Sequence, residues 1–344
     1  MTTILQLSEA HIIGAVISFL LAIFIVPAVI YFSKKQGLYD APGERKIHDH
    51  PVPRLGGVAV WFSTMLTFLF LVFLSYYPYG SLLSGILLGS SLMFLLGLID
   101  DIYCLDAKFK LFIQLAIATI VFCLGIRIED VYLPFGISYH LGFLSWFVTT
   151  AWIVGVSNAV NFIDGIDGLA GSVISISAVT LGLIAATTAS GMVSPLIAFI
   201  LAGAMLAFLT YNFNPARIFM GDSGALFAGF MLATLSVTGI MQTDSVLMWV
   251  PVLVLFVPVF DITFASVRRI AKGKSPFVAD AEHVHHRLLK AGFSQNQTVL
   301  FLSGIAVLTG GISVYLVNHS VVKYFIYAIA LAVVMLILNF QARK

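Results

Sequence analysis

Apolar stretches long enough to cross a bilayer follow one another from residue 10 to residue 341, with no long polar segment between them. About 20 predominantly apolar residues, wound as a helix, span the ~30 Å hydrocarbon core. Eleven such stretches lie near residues 10–32, 58–75, 81–99, 111–125, 143–157, 169–189, 194–211, 223–242, 246–267, 298–317 and 323–341, the fourth and fifth being short. The sequence therefore predicts an all-α polytopic integral membrane protein with 10 to 11 transmembrane helices. It also predicts one membrane domain over residues 1–344, not two soluble domains. Composition agrees, since 60% of the residues are hydrophobic, 10% are charged and the mean hydropathy is +1.03. A soluble globule of that make-up would be coated in apolar side chains. The first stretch lacks a basic leader and a small-residue cleavage signature, and reads as a retained span.

Cytoplasmic connections retain an excess of Lys and Arg during insertion. Eleven spans create two alternating sets of connections. Sixteen of the 18 basic residues fall in one set, from Lys34 and Lys35 to Arg343 and Lys344, and only Arg127 and Lys323 in the other. This places the N-terminus outside and the C-terminus in the cytoplasm. A net charge of +2 gives no indication of a nucleic-acid partner. Cys104 and Cys123 match neither a disulfide framework nor a zinc spacing. His11, His140 and His319 fall on or near the outer side and receive no role. Residues 126–142 there alternate enough for a small hairpin.

Four polar clusters share the cytoplasmic side. Asp100 and Asp101 end the third span, ahead of Leu105, Lys110 and Gln114. Adjacent carboxylates near an apolar boundary repel unless a cation or a basic partner offsets them. Successive helix positions diverge by about 100°, so the two acids have different jobs. The second cluster runs from Asn158 through Asn161, Asp164, Gly165, Asp167 and Gly168 to Leu169. Its oxygen-bearing side chains recur three apart and suit Mg²⁺, although polar interhelical hydrogen bonds are the plainer use of asparagine here. In the third, Tyr211 to Gly224, Asp222 stands where a helix begins and serves as an N-cap or as the edge of a phosphate and metal site. Capping alone does not explain Asn212, Asn214 and Arg217 beside it, while Phe219 either stacks on a base or anchors at the interface. The fourth, from Arg268 to Gln297, centres on His283, His285, His286 and Arg287, donors suited to a pyrophosphate or sugar. Zinc competes for these histidines, but the oxygen-rich carboxylate clusters favour magnesium. Lipid headgroups compete for Arg268, Arg269, Lys272 and Lys274. Asp261 has no evident job beyond pairing with Arg268. Carboxylates, basic loops and a membrane surface together suit the joining of a soluble phosphate donor to a lipid-borne phosphate, a reaction that needs charge neutralisation above all.

The chain resembles the polyprenyl-phosphate N-acetylhexosamine-1-phosphate transferases over nearly its whole length. The likeness rests, in family order, on Pro51-Val52-Pro53-Arg54-Leu55-Gly56-Gly57, on Asp100-Asp101 with Leu105, Lys110 and Gln114, on Asn158 through Leu169, on Phe219-Met220-Gly221-Asp222, and on His283, His286 and Arg287. Within the family it looks like the WecA- and TagO-like branch, which transfers GlcNAc-1-phosphate from UDP-GlcNAc to undecaprenyl phosphate and releases UMP. The resemblance implies Mg²⁺, with Mn²⁺ as a substitute, bound by Asp222 beside Asp101. It implies catalytic roles for Asp100, Asp101, Asn161, Asp164 and Lys110. Substrate contacts would come from Asp167, Asn212, Phe219, His283, His286 and Arg287, and from Arg54 and Lys46. The partners implied are UDP-GlcNAc, undecaprenyl phosphate, the lipid bilayer and a second copy in a homodimer.

Two departures set the chain apart from the branch that uses UDP-MurNAc-pentapeptide. That branch carries a threonine-rich version of the first motif and an unbroken histidine triplet, which Val284 interrupts here. UDP-GalNAc stays open as an alternative donor. An ion-coupled secondary transporter is the reading from another class. Transporters place charge near the midplane of broken spans and carry internal repeats, whereas here charge collects at one face without a repeat.

Overall fold

The computed structural model describes residues 8–40, 51–74, 80–133, 137–188, 193–241, 247–273 and 283–342. The protein is an all-α polytopic membrane protein. Its helices are α1 (Glu9–Gln36), α2 (Gly56–Phe73), α3 (Ser81–Tyr103), α4 (Ala107–Cys123), α5 (Leu144–Ile163), α6 (Leu169–Ala185), α7 (Val193–Asn212), α8 (Gly221–Ser236), α9 (Val250–Val254), α10 (Phe256–Ala271), α11 (Val284–Lys290), α12 (Gln295–Asn318) and α13 (Val322–Ala342). Among the described residues seven helices are long and apolar enough to cross a membrane: α1, α2, α3, α5, α7, α8 with its π-helical extension to Met241, and α12.

The remaining stretches are helical too: α13 has 21 residues, and the others are shorter or broken. Helices α4 and α6 have 17 residues each. All of α6 except Ile176 is buried in the bundle, so it need not match the bilayer thickness. The stretch near 246–267 breaks at Leu255 between α9 and α10. Pro258 has no N–H to offer the Val254 carbonyl, and the Ser177 hydroxyl of α6 donates to that carbonyl instead, at 3.4 Å.

Helix α8 is the centre of the bundle. Every residue from Ser223 to Ser236 is buried, and the helix packs on α2, α3, α5, α6 and α7. Two glycines permit this. Gly57 lies against the Gly224 backbone and Gly97 against the Asp222–Ser223 peptide, so closely that a Cβ at either would overlap main-chain atoms.

At one end of the bundle the polar motifs are stitched together by backbone. Strand β1 (Tyr39–Asp40) pairs antiparallel with β2 (Val52–Pro53). The line continues across the chain: Phe219 N–H donates to Pro53 O at 2.7 Å, Gly56 N–H to Phe219 O at 2.9 Å and Gly57 N–H to Met220 O at 2.8 Å. This bonding seats the Pro51-to-Gly57 motif against the Phe219-to-Asp222 motif, 162 or more residues away in sequence. The opposite end carries the expected hairpin, β3 (Asp130–Leu133) with β4 (Ile137–His140). His140 pairs there with Asp130 at 2.9 Å. His11 also acquires a job. Its Nδ1 accepts the Ser8 N–H at 2.9 Å and closes the start of α1, where a capping box ordinarily uses Glu or Gln.

Candidate active site

The two acids at the end of α3 do separate work. Asp101 is 8% exposed and accepts the N–H groups of Asp222 and Ser223 at 2.9 and 3.0 Å, one on each oxygen. It is the cap of α8, supplied by another helix to amides that have no partner within their own. Asp101 thus supports α8 with both oxygens while also lining the cleft in which its ligand role is expected. Asp222 in turn is relieved of capping itself and faces outward. Its Oδ2 meets the Lys110 ammonium and accepts from Asn161 Nδ2 at 3.1 Å. The same ammonium binds Asp100 Oδ2 at 2.7 Å, and Asp100 Oδ1 accepts Leu105 N–H at 2.7 Å. Ends of α3, α4, α5 and α8 thus meet around one lysine flanked by two carboxylates.

Asn158 belongs to the scaffold. It exchanges amide hydrogen bonds with Gln114 at 2.7 and 3.3 Å, joining α5 to α4. The helix runs on through Asn161 to Ile163, and the chain then turns at Asp164 to Gly168. Asn212 is buried and bridges that turn to the next motif, accepting from Gly168 N–H at 3.1 Å and donating to Ile218 O at 2.9 Å. Asp167 Oδ2 accepts from Asn214 Nδ2 at 2.9 Å and from Ala216 N–H at 3.0 Å.

These residues enclose a cleft of about 380 Å³. Arg54, Asp101, Asn161, Asp164, Asp167, Asn212, Phe219, Asp222 and His286 line it, as the sequence reading grouped them. Asp40 and Gln295 also line it and were missed. Gln295 carries a detectable signal, since it opens α12 inside the Ser294–Gln297 capping box. Asp40 carries none. Lys46 lies outside the described residues.

The histidine motif folds as the short helix α11. His283 Nδ1 lies 2.8 Å from Asp261 Oδ2, and Asp261 Oδ1 accepts Val284 N–H at 2.8 Å. The expected pairing of Asp261 with Arg268 is thus replaced by one with the start of α11. Arg287 is exposed, stacks over Phe264 at 5.4 Å and does not line the cleft.

The description Glycosyl transferase family 4 matches residues 83–240, a span holding every cleft carboxylate except Asp40. A probable undecaprenyl-phosphate N-acetylglucosaminyl 1-phosphate transferase of Bacillus subtilis is 35% identical over 85% of this chain and 80% of its own. The chain belongs to this transferase family. A decaprenyl-phosphate N-acetylglucosaminephosphotransferase of Mycobacterium leprae is 36% identical over 76% of this chain and 72% of its own. The undecaprenyl-phosphate alpha-N-acetylglucosaminyl 1-phosphate transferase of Escherichia coli K12 is 29% identical, covering 86% and 82%.

In this member of the transferase family the cleft is electrostatically tense. Burial, followed by the charges of Asp222, Asp101 and Asp167, raises the Asp164 carboxyl well above the usual carboxylate range. Burial likewise lowers His286, with His283 and Lys290 adding to it, and lowers His285 to about 3. Among the described residues no three His, Cys, Asp or Glu side chains stand close enough to hold a metal by themselves. The oxygen donors that line the cleft, Asp164 and Asp222 among them, are of the kind Mg²⁺ takes together with waters and substrate phosphates.

Proposed function

We propose that this chain transfers GlcNAc-1-phosphate from UDP-GlcNAc to undecaprenyl phosphate, on the cytoplasmic side of a bacterial membrane, to begin a cell-envelope glycopolymer. The observation that carries the reading is one cleft where Asp222, Asn161, Asp164, Arg54 and His286 converge from separate motifs at one end of a membrane bundle, with Lys110 paired to Asp222 beside it. A lipid-phosphate oxygen bonds to the β-phosphorus of the donor, the bond from that phosphorus to the bridging oxygen breaks, and UMP leaves with the electron pair.

Asp222 and Asp164 are the carboxylates suited to Mg²⁺, which when bound neutralises phosphate oxygens and eases departure of the nucleotide. Lys110 balances Asp100 and Asp222 and offers a fixed positive charge to incoming phosphate. Burial and the neighbouring acids raise the Asp164 carboxyl, and positive charge brought beside it favours the ionised form. Arg54 and His286 supply donors from the rim, and Phe219 an apolar face for a base. The basic-residue asymmetry supports the proposed orientation.

Purified protein with undecaprenyl phosphate and Mg²⁺, offered UDP-GlcNAc, UDP-GalNAc or UDP-MurNAc-pentapeptide, tests the donor. UMP release from UDP-GlcNAc alone, abolished by EDTA, is the expected result. Release from the pentapeptide donor would move the chain to the other branch.

A further inference from the structure

Asp261 is the cluster's outlier. It sits in α10, in an apolar stretch of the bundle, 3% exposed, where a carboxylate is costly unless it holds something. Both its oxygens are engaged with α11, Oδ2 with the His283 ring and Oδ1 with the Val284 N–H. His283 occupies the N-cap position of α11 without making a side-chain cap, so Asp261 provides from α10 the acceptor that α11 lacks.

The locked helix rests directly on the catalytic end of α5. The His283 ring stacks on Phe162 with centroids 5.2 Å apart, and on His285 at 6.0 Å. His285 is 2% exposed and packs its Nε2 onto Gly165, where a Cβ would collide with it. Phe162 follows Asn161, and Gly165 follows Asp164. Hence the carboxylate in α10 governs how α11 sits against Asn161 and Asp164, and where His286 enters the cleft.

We propose that Asp261 is a positioning residue for the transfer, locking α11 through His283 so that His286 holds the nucleotide-sugar side of the cleft. The proposal rests on the transferase reading. Buried partners that orient a reacting group typically matter tenfold to a hundredfold when altered.

The test compares full-length wild type, Asp261→Asn and Asp261→Glu for UMP release, with nitrogen NMR of ¹⁵N-histidine-labelled protein in which His283 is identified by His283→Gln. Asp261→Asn should lower kcat/KM for UDP-GlcNAc about tenfold to a hundredfold. It should leave KM for undecaprenyl phosphate unchanged and move the His283 Nδ1 signal. Asp261→Glu, which keeps the charge, should recover part of the loss. An Asp261→Asn enzyme with wild-type kcat/KM for UDP-GlcNAc would overturn the proposal. So would equal loss toward both substrates with an unmoved His283 signal. Failure of wild type to release UMP would overturn the transferase reading alone, because the His283 signal reports on the lock without turnover.

Discussion

At the scale of single residues, the division of labour between Asp100 and Asp101 explains the site. Asp101 holds the start of α8, so Asp101→Ala should cost about 1 kcal/mol of stability, the usual cost of a lost cap, and loosen Asp222 as well. Thermal denaturation in detergent should show a lowered midpoint, and UMP release should fall with it. An unchanged midpoint would contradict the capping role. Lys110→Met removes the charge shared by Asp100 and Asp222, and should cost on the order of 3 kcal/mol, as for a broken buried pair. Lys110→Arg should keep more of that stability than of the activity, because a planar guanidinium cannot sit between the two carboxylates as an ammonium does. The acids and Asn161 were legible in the sequence because unpaired polar groups are conspicuous in apolar surroundings. Their partners were not. Asp261 has a basic residue seven positions away but takes a histidine 22 positions away, and nothing local marks that choice. Asn158 illustrates the converse, a motif residue whose amide is used by Gln114.

At the scale of elements, apolar length announced the helices, whereas their breaks depended on tertiary partners. Pro258 marks a disturbance near α10, but the break at Leu255 is tolerable because α6 offers Ser177. Helix α11 has seven residues and no apolar period to reveal it, and exists because Asp261, Phe162 and Gly165 receive it. His285 makes its docking pH-dependent. The folded state keeps this ring neutral to about pH 3, while an unfolded chain protonates it near 6.5, so the unfolded state binds the extra proton between those values. Stability should therefore be full above about pH 6.5 and fall as pH drops, by up to about 1.4 kcal/mol per unit from this group. His285→Gln should flatten that part of the stability profile measured by thermal denaturation. Helix packing sets a further limit: Gly97→Val forces α3 from α8, and should both destabilise by about 1–3 kcal/mol and silence UMP release, since the Asp101 cap moves with α3.

At the scale of the whole molecule, the cleft, the strand pair β1–β2 and the ends of α1, α3, α5 and α7 share one face, and the β3–β4 hairpin marks the other. The concentration of Lys and Arg in alternate connections made this segregation visible before any contact was known. With Cys104 and Cys123 replaced by serine, cysteines at the exposed positions Lys290 and Tyr139 report on sidedness. An impermeant maleimide should label the Tyr139→Cys protein on intact cells and the Lys290→Cys protein only after permeabilisation. The reverse pattern would place the cleft outside. The most direct test of the central claim is mass-spectrometric detection of the lipid product, with purified wild type and Asp222→Asn each given UDP-GlcNAc, undecaprenyl phosphate and Mg²⁺. Undecaprenyl-diphospho-GlcNAc should appear one for one with UMP in the wild type and be absent from Asp222→Asn. Equal product from the variant, or UMP without the lipid-linked sugar, would contradict the account.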